Sequence, residues 1–263
     1  MRVGYFQFAP DRGDRDRNLG RIEAALENAE ADLIVLPELA VSGYLFESRS
    51  GLAACAEPIP DGPTCRTLTR LCRRRGLAVV VGLAERAGDR LYNSAVLVTP
   101  EGDCHTYRKA HLFLDEKDLF SPGDLPFPVF EYRGVKLGLL VCFDHFYPEA
   151  ARALALKGAQ VICHPSNLVL RYAHATTACR CIENRVFWVL ANRTGTERAG
   201  DKELSFIGES QVVAPGGRVL VRAGAETEEL RVVDIDPAEA LDKQVTRRNH
   251  LLDDRRTDLY FRP

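Results

Sequence analysis

The sequence predicts a mixed α/β fold. Apolar runs rich in strand formers alternate with amphipathic stretches over residues 3–83, in the order strand, helix, strand, helix, strand, and further elements continue to residue 234. Of the 263 residues, 46% are hydrophobic and 27% are charged, a composition typical of a chain with one large core. Because no Pro/Ser-rich linker or low-complexity tract divides the sequence, we expect a single domain over residues 1–263.

The first half of the chain predicts three strands separated by two helices. Leu19, Ile22 and Leu26 recur at helical spacing. Gly76 closes the second helix, and the basic run at residues 73–75 is interpreted as its solvated end. The strands are predicted at residues 3–8, 32–36 and 78–83, and the helices at 18–29 and 64–75, with a loop from the second strand to about residue 63.

The second half of the chain predicts more strands than helices. A tight turn with Pro100 and Gly102 joins two strands, and Pro148 and Glu149 are typical of a first helical turn. A long proline-containing loop precedes the strand that stops at Cys142. The strands are predicted at residues 91–98, 104–108, 136–141, 161–164, 186–192, 206–213, 218–221 and 230–234, and the helices at 148–157 and 173–185. The pattern does not choose between one open sheet and two stacked sheets.

Charge and hydropathy argue against a nucleic-acid or membrane partner. The chain has 35 basic and 37 acidic residues and a net charge of −2, so it has no broad positive field for a phosphate backbone or an anionic lipid surface. No apolar run approaches the roughly 20 residues of a membrane span, and the first residues have no signal-peptide pattern. We therefore expect a soluble cytoplasmic protein.

Eight cysteines are scattered through strand-like and helix-like segments. A disulfide framework is typical of much shorter secreted chains, so we expect most of these thiols to be free. The six histidines form no His-x-x-x-His pair and no cluster with the cysteines, which disfavours a zinc site. The sequence therefore predicts no metal centre.

Three polar residues, Glu38, Lys109 and Cys142, each follow a predicted strand. The carboxyl ends of strands are where α/β proteins usually place ligands. Cys142 would lie at a strand-to-helix elbow, where the free N–H groups of a helix N-terminus favour a thiolate and could hold an oxyanion. Taken singly, the cysteine is explained as a buried small side chain, the glutamate as a cap and the lysine as a solvated strand end. The combination indicates a nucleophilic site.

The neighbours of these three residues resemble motifs of the nitrilase, or carbon–nitrogen hydrolase, superfamily. The resemblance lies in LPEL at residues 36–39 with SGY at 42–44, in YRKAHL at 107–112, and in LVCFDHFYPE at 140–149. It extends to YNSA at 92–95, HPSNL at 164–168 and ENR at 183–185, and so covers almost the whole chain. The pattern is most similar to that of compact archaeal thermophilic nitrilases and small aliphatic amidases.

The resemblance implies a four-layer α-β-β-α sandwich and a catalytic triad. In this triad Glu38 is the general base, Lys109 is the electrostatic stabiliser and Cys142 is the nucleophile. These residue types suit the chemistry, because a thiol with a pKa of about 8.5 is mostly protonated at neutral pH. A carboxylate must therefore take its proton, or a cation must stabilise its anion. The resemblance implies no metal and no organic cofactor.

The resemblance also points to residues around the triad. Glu116 matches a second glutamate that positions substrate or water in the family, although Asp115 and Asp118 leave the register open. His111 and His145 are interpreted as supporting or packing residues, because the scheme already has a base. The candidate walls of the substrate pocket, for which simple packing is an equal explanation, are Phe143, Asn167 and Tyr44.

Charged residues on the two helices after the nucleophile resemble positions at which the family's subunits meet. We therefore expect a homodimer or a higher homo-oligomer, and the alternative is an ordinary salt-bridged surface. These residues are Glu149, Arg152, Arg180, Glu183 and Arg185.

The implied reaction is hydrolysis of a small amide or nitrile to a carboxylic acid and ammonia through a cysteine thioester. Phe143 and Asp144 depart from the Trp-Glu of large nitrilases, which favours an amidase acting on small aliphatic substrates. Three alternatives stay open: an N-carbamoyl amide substrate, acyl transfer to an amine, and a nitrilase-like binding protein with a silent site. A dinucleotide-binding protein and a serine hydrolase are disfavoured, because neither Gly-x-Gly-x-x-Gly after the first strand nor Gly-x-Ser-x-Gly occurs.

Overall fold

A computed structural model describes residues 1–260, which form two six-stranded sheets with helices on their outer faces. The strands are β1 (Arg2–Gln7), β2 (Leu33–Val35), β3 (Ala78–Ala87), β4 (Arg90–Val98), β5 (Cys104–Arg108), β6 (Val129–Tyr132), β7 (Val135–Leu139), β8 (Val161–Pro165), β9 (Phe187–Ala191), β10 (Thr196–Ala199), β11 (Lys202–Ser205), β12 (Gln211–Val213), β13 (Val219–Arg222), β14 (Glu229–Asp234), β15 (Gln244–Thr246) and β16 (Asn249–His250). The helices are α1 (Arg15–Leu26), α2 (Arg49–Cys55), α3 (Pro63–Arg75), α4 (Glu116–Leu119), α5 (Pro148–Leu156) and α6 (Ala173–Asn184), with 3-10 helices at Cys142–Phe146 and Pro237–Ala240.

The two sheets share one pattern of strand directions. The first has the order β14-β1-β2-β3-β4-β5 and the second has the order β13-β12-β9-β8-β7-β6. The central strands β1, β2 and β3 are parallel in one sheet, and β7, β8 and β9 are parallel in the other. Because β4 is antiparallel to both β3 and β5, β5 runs in the direction of β2. The carboxyl ends of β2 and β5 therefore lie at the same edge of the first sheet.

The alternation of side chains along the first sheet produces four layers. Leu33 and Val35 of β2 belong to a buried cluster that also contains most of the second sheet, whereas Ile34 between them packs with side chains of α1 and α3. Leu154 of α5 and Cys181 of α6 extend the first cluster beyond the second sheet. The expected α-β-β-α sandwich is confirmed, with two stacked sheets rather than one open sheet.

Several predicted boundaries are wrong, and the local chemistry explains them. α1 begins at Arg15 rather than residue 18, because the Asp14 side chain accepts the N–H of Arg17 (3.1 Å) and caps the helix. The predicted loop before residue 63 contains α2, and the long proline-containing loop contains α4 and β6. The strand predicted at 206–213 is restricted to β12. The β10–β11 hairpin was not predicted, because its charged sequence lacks the apolar alternation of a half-buried strand.

The cap of α3 and the free cysteines agree with the sequence-based expectations. α3 ends at its basic run, and Gly76 follows with a φ of 65°, the left-handed conformation of a glycine cap. All eight cysteines, which lie within the described residues, are free thiols. No helix within residues 1–260 combines the length and the apolar character needed to cross a bilayer.

Candidate active site

Glu38 lies in an extension of β2 that remains hydrogen-bonded to β3. The N–H of Leu36 donates to the carbonyl of Val80 (2.7 Å), and the N–H of Ala40 donates to that of Gly82 (2.9 Å). A Cβ at Gly82 would lie 2.4 Å from the Glu38 Cα, so only glycine leaves room for the two backbones to cross. The close crossing fixes the buried Glu38 at the carboxyl edge of the first sheet.

Lys109 follows β5 and reaches two carboxylates from the same edge. Its Nζ donates to Oε1 of Glu38 (2.7 Å) and to Oε1 of Glu116 (2.7 Å). Asn93 of β4 donates through Nδ2 to the same Glu38 oxygen (2.6 Å). The second oxygen of Glu38, Oε2, is buried and has no hydrogen-bond partner among residues 1–260. One oxygen of Glu38 is therefore held in place, and the other is free to accept a proton.

Glu116 is the acidic residue of its segment that reaches the site. Its Oε1 also accepts the hydroxyl of Tyr44 (2.7 Å), and its Oε2 accepts the N–H of Phe113 (3.1 Å). Asp115 is exposed and pairs with Lys202 at the surface, and Asp118 is exposed as well. The register left open by the sequence is thus decided by burial.

Cys142 begins the 3-10 helix Cys142–Phe146 directly after the β7 segment. Its φ of 43° is rare for a residue with a side chain and marks a sharp turn. The buried carboxylate of Asp144 stabilises this turn, since it accepts the N–H of Val141 (3.0 Å) and the hydroxyl of Tyr107 (2.8 Å). Cys142 is therefore positioned by hydrogen bonds that connect its turn to both sheets.

His164 of β8 holds the backbone carbonyl of Cys142. The Nε1–H of Trp188 can only donate, so His164 accepts that bond at Nδ1 (3.1 Å) and carries its proton on Nε2. Nε2 then donates to the Cys142 carbonyl oxygen (2.8 Å). Burial lowers the pKa of His164 to about 4, so the ring is neutral at physiological pH. The neutral ring supports the turn at Cys142.

The expectation that a helix N-terminus favours a thiolate at Cys142 is wrong. α5 begins only at Pro148, after the 3-10 helix. Burial and the negative charge of Glu38 raise the pKa of Cys142 well above its ordinary value, although Lys109 and the backbone N–H of Asn167 act in the opposite direction. Cys142 is therefore a neutral thiol at neutral pH.

The lysine and the second glutamate also have shifted pKa values. Burial alone would lower the pKa of Lys109, but the carboxylates of Glu116 and Glu38 outweigh burial and raise it above its ordinary value. Lys109 is therefore an ammonium at neutral pH. The pKa of Glu116 is raised as well, because burial and the charge of Glu38 outweigh the attraction of Lys109.

A small cavity opens beside Cys142. Phe143 and Asn167 line it, and Asn167 donates through Nδ2 to the Glu38 carbonyl (2.9 Å) while its Oδ1 has no partner among the described residues. Tyr44 is not among its walls and instead lines a second cavity together with Glu116. The other walls are Phe113, His145, Leu168, Val169 and Leu170.

A family model described as carbon–nitrogen hydrolase matches residues 2–242. The chain belongs to the carbon–nitrogen hydrolase family. It is 44% identical over 265 residues to a nitrilase from Pyrococcus abyssi, with 100% of both chains covered. It is 43% identical to an (R)-stereoselective amidase from Pseudomonas sp., with 90% of this chain and 85% of the amidase covered.

A solved structure supports the same assignment of this carbon–nitrogen hydrolase. It is a mutant of the amidase from Nesterenkonia sp. AN1, with the acetamide moiety of fluoroacetamide added covalently at its active-site cysteine. The TM-score is 0.80 at 30% identity, with 98% of this chain and 95% of the amidase covered. The nitrilase-superfamily fold expected from the sequence motifs is therefore confirmed.

The two histidines near the motifs of this hydrolase have different environments. His111 has the supporting position that was expected, since its Nδ1 lies 2.8 Å from Asp144 and its ring stacks on Tyr147. His145 differs, because its ring lines the cavity beside Cys142. The sequence analysis gave no role to two further residues that build the site, Asn93 of β4 and Tyr107 of β5. Only their place in the motifs could have indicated a role, because the residues that they contact lie in other segments of the chain.

The charged residues assigned to a subunit interface have two different environments. Arg180 is buried, and its guanidinium donates to the carbonyls of His145 (3.2 Å) and Phe146 (3.1 Å), so it holds the 3-10 helix within the subunit. Arg185 donates to the carbonyl of Asp242 (2.6 Å). An open groove of about 1300 Å³ is lined by Glu149, Arg152 and Glu183.

Within residues 1–260, no cluster of three or more His, Cys, Asp or Glu residues has a geometry that could hold a metal ion. Glu38 and Glu116 face Lys109 rather than an open coordination position.

Proposed function

We propose that this carbon–nitrogen hydrolase converts a small aliphatic amide to a carboxylic acid and ammonia through a thioester on Cys142. The observation that carries the proposal is the position of Lys109 Nζ, 2.7 Å from carboxylate oxygens of both Glu38 and Glu116. Cys142 is close enough to these three groups for their charges to act on its pKa. A carboxylate, an ammonium and a thiol are thus buried within range of one another's charges, which supports covalent catalysis by the thiol.

In the first half-reaction, Cys142 Sγ attacks the amide carbon while Glu38 takes the thiol proton. The acceptor is Oε2 of Glu38, because Lys109 and Asn93 already occupy Oε1. The Lys109 ammonium and the backbone N–H of Phe143, at the start of the 3-10 helix, stabilise the charge on the carbonyl oxygen. Glu38 then gives its proton to the nitrogen, which leaves as ammonia, and the acyl group stays on sulfur.

In the second half-reaction, water opens the thioester. Glu38 Oε2 takes a proton from the water, whose oxygen forms the new bond to the acyl carbon. The carbon–sulfur bond breaks, the thiolate of Cys142 takes the proton back from Glu38, and the carboxylic acid leaves. The raised pKa of Cys142 favours the return to a neutral thiol.

Glu116 is assigned a positioning role. Its Oε1 receives bonds from both Lys109 and Tyr44, and its Oε2 is held by the N–H of Phe113. With these bonds Glu116 holds the Lys109 ammonium between two carboxylates, so that the ammonium does not form an ion pair with Glu38 alone. The arrangement leaves Glu38 able to exchange a proton.

The cavity favours a short acyl group. The cavity is far smaller than the roughly 300–1,000 Å³ of ordinary ligand pockets, and most of its walls are apolar. The amidase relatives favour an amide substrate, and the nitrilase relative makes a nitrile the alternative. A nitrile would give a thioimidate on Cys142, and one further water would lead to the same thioester.

The test is ammonia release from matched pairs, acetamide with acetonitrile and propionamide with propionitrile. We expect amides to be the better substrates and Cys142→Ala to abolish release, while Cys179→Ala, which changes an exposed thiol, retains it. An N-carbamoyl amide and an added amine acceptor test the other two reactions. Turnover that survives Cys142→Ala would contradict the mechanism, and no turnover on any member would favour a silent binding protein.

We also propose that the hydrolase is a homodimer or a higher homo-oligomer. The groove beside α5 and α6 combines apolar walls at Leu156 and Tyr260 with the charged groups of Glu149, Arg152 and Glu183. Exposed apolar surface rimmed by charge is typical of a subunit contact. Light scattering of the purified chain should give at least twice its 29.3 kDa mass, and a value of one chain would contradict the proposal.

A further inference from the structure

Buried polar atoms of two kinds lack a partner at or near the cavity beside Cys142. Glu38 Oε2 and Asn167 Oδ1 can only accept hydrogen bonds, and both lack a partner among residues 1–260. The two N–H groups of a primary amide are suitable donors to these oxygens. The second kind is the two ring nitrogens of His145. Neither Nδ1 nor Nε2 has a partner in the described chain, although both are buried.

The neighbours of His145 cannot satisfy its ring. The nearest aromatic ring, that of His164, has its centroid 5.6 Å away, and both of its nitrogens are already bonded to Trp188 and to the Cys142 carbonyl. Arg180 donates to the backbone carbonyl of His145, not to its imidazole. A buried imidazole left without a partner loses hydrogen bonds that it had in water, so a water or a ligand group in the cavity is needed to supply them.

The charge state of His145 narrows the choice of that molecule. Burial, His164 and Arg180 lower the pKa of His145 well below its ordinary value, so the ring is neutral and offers one donor and one acceptor. An ionised ligand group would be costly to bury among the mostly apolar walls of this cavity. A hydroxyl group is neutral and can donate and accept at once.

We propose that His145 binds a hydroxyl group on the acyl part of the substrate, so that the preferred substrates are amides of short hydroxy acids. The proposal rests on the amidase function proposed above and names its substrate class. It makes His145, three residues after the nucleophile, a residue that determines specificity rather than a packing residue. The apolar remainder of the cavity contacts the carbon atoms of the same acyl group.

The test compares lactamide with isobutyramide, in which a methyl group replaces the hydroxyl at almost the same volume. We expect the wild type to have a kcat/KM for the faster lactamide enantiomer at least about 10-fold above that for isobutyramide. His145→Phe should remove most of this ratio, and His145→Gln, which keeps a donor and an acceptor, should retain part of it. His105→Phe, on β5 where the ring stacks on Phe130, is the control and should leave the ratio unchanged.

The outcomes separate this inference from the proposed function. If the wild type hydrolyses amides but prefers isobutyramide, treats both alike or accepts neither, the inference is overturned and the amidase function stands. The same holds if His145→Phe lowers both kcat/KM values equally, because a structural role alone would do that. If His145→Phe does not fold, the ratio measured for His145→Gln decides. Absence of ammonia release from every amide overturns the proposed function and this inference together.

Discussion

Arg193 and Glu197 form a buried ion pair that fixes the segment after Glu38. The Glu197 carboxylate also accepts the backbone N–H groups of Tyr44 (2.9 Å) and Leu45 (2.7 Å). Since the Tyr44 hydroxyl donates to Glu116, the pair is connected to the lysine site through a single side chain. The β10 segment, which was not predicted as a strand, thereby contributes to the geometry of the site.

Glu197→Gln should destabilise the protein strongly, because it leaves Arg193 buried without a counter-charge. We expect a loss of about 3–5 kcal/mol in the free energy of unfolding, measured by urea denaturation. Glu203→Gln, in the exposed pair with Arg198, is the matched control and should change stability by less than about 1 kcal/mol. Equal stabilities of the two variants would show that the buried pair has no special role.

The space around two glycines, Gly82 and Gly20, predicts opposite effects for their substitution by alanine. At Gly82 the new Cβ would meet backbone atoms at 2.4–2.8 Å, so Gly82→Ala should lower stability by about 2 kcal/mol or more and reduce ammonia release. Gly20 of α1 has nothing within 4 Å of an added Cβ, so Gly20→Ala should raise stability by about 0.5–1 kcal/mol. Thermal melting checks both, and a stable, active Gly82→Ala would contradict the account of the site.

Lys109→Met should abolish most activity, because it removes the ammonium and leaves two buried carboxylates facing each other. We expect kcat for ammonia release to fall at least about 100-fold. Lys157→Met, an exposed lysine at the end of α5, should retain the wild-type rate. Circular dichroism establishes whether the Lys109 variant is folded. A folded variant with a near wild-type kcat would exclude the lysine from the mechanism.

The lowered pKa of His164 predicts a loss of stability in mild acid. The ring binds a proton readily when unfolded, with a pKa of about 6.5, but in the folded protein only near pH 4. Stability is therefore unaffected above about pH 6.5 and falls as the pH decreases from 6.5 to 4, by about 3 kcal/mol from this group. Urea denaturation at pH 7 and pH 4.5 measures the loss. His164→Gln should show a smaller loss, and an equal loss would contradict the assignment.

The sequence predicted the parts of the site that depend on strand ends. Glu38, Lys109 and Cys142 each follow a strand, and a shared motif order was enough to expect them together. Their contacts required more, because the Lys109 bond to Glu116 depends on which acid of a short segment is buried. No periodicity in the sequence reports that choice.

The properties missed by the sequence come from the three-dimensional environment. The strand-to-helix elbow suggested a thiolate at Cys142, but a 3-10 helix intervenes, and burial with the nearby Glu38 keeps the thiol neutral. His145 was interpreted as a supporting or packing residue because the catalytic scheme already has a base. Its ring nitrogens lack partners because His164 and Arg180 make their hydrogen bonds to other groups. Local patterns do not contain such information.

The most direct test of the central claim is the intact mass of the protein quenched during turnover of a small amide. Glu38→Gln removes the base from both half-reactions, so this variant should form little adduct and release little ammonia. For the wild type the account predicts a mass increase equal to one acyl group, located by peptide mapping on Cys142 and absent from Cys142→Ala. An acyl group on another cysteine, or steady ammonia release with no covalent adduct in the wild type, would contradict it.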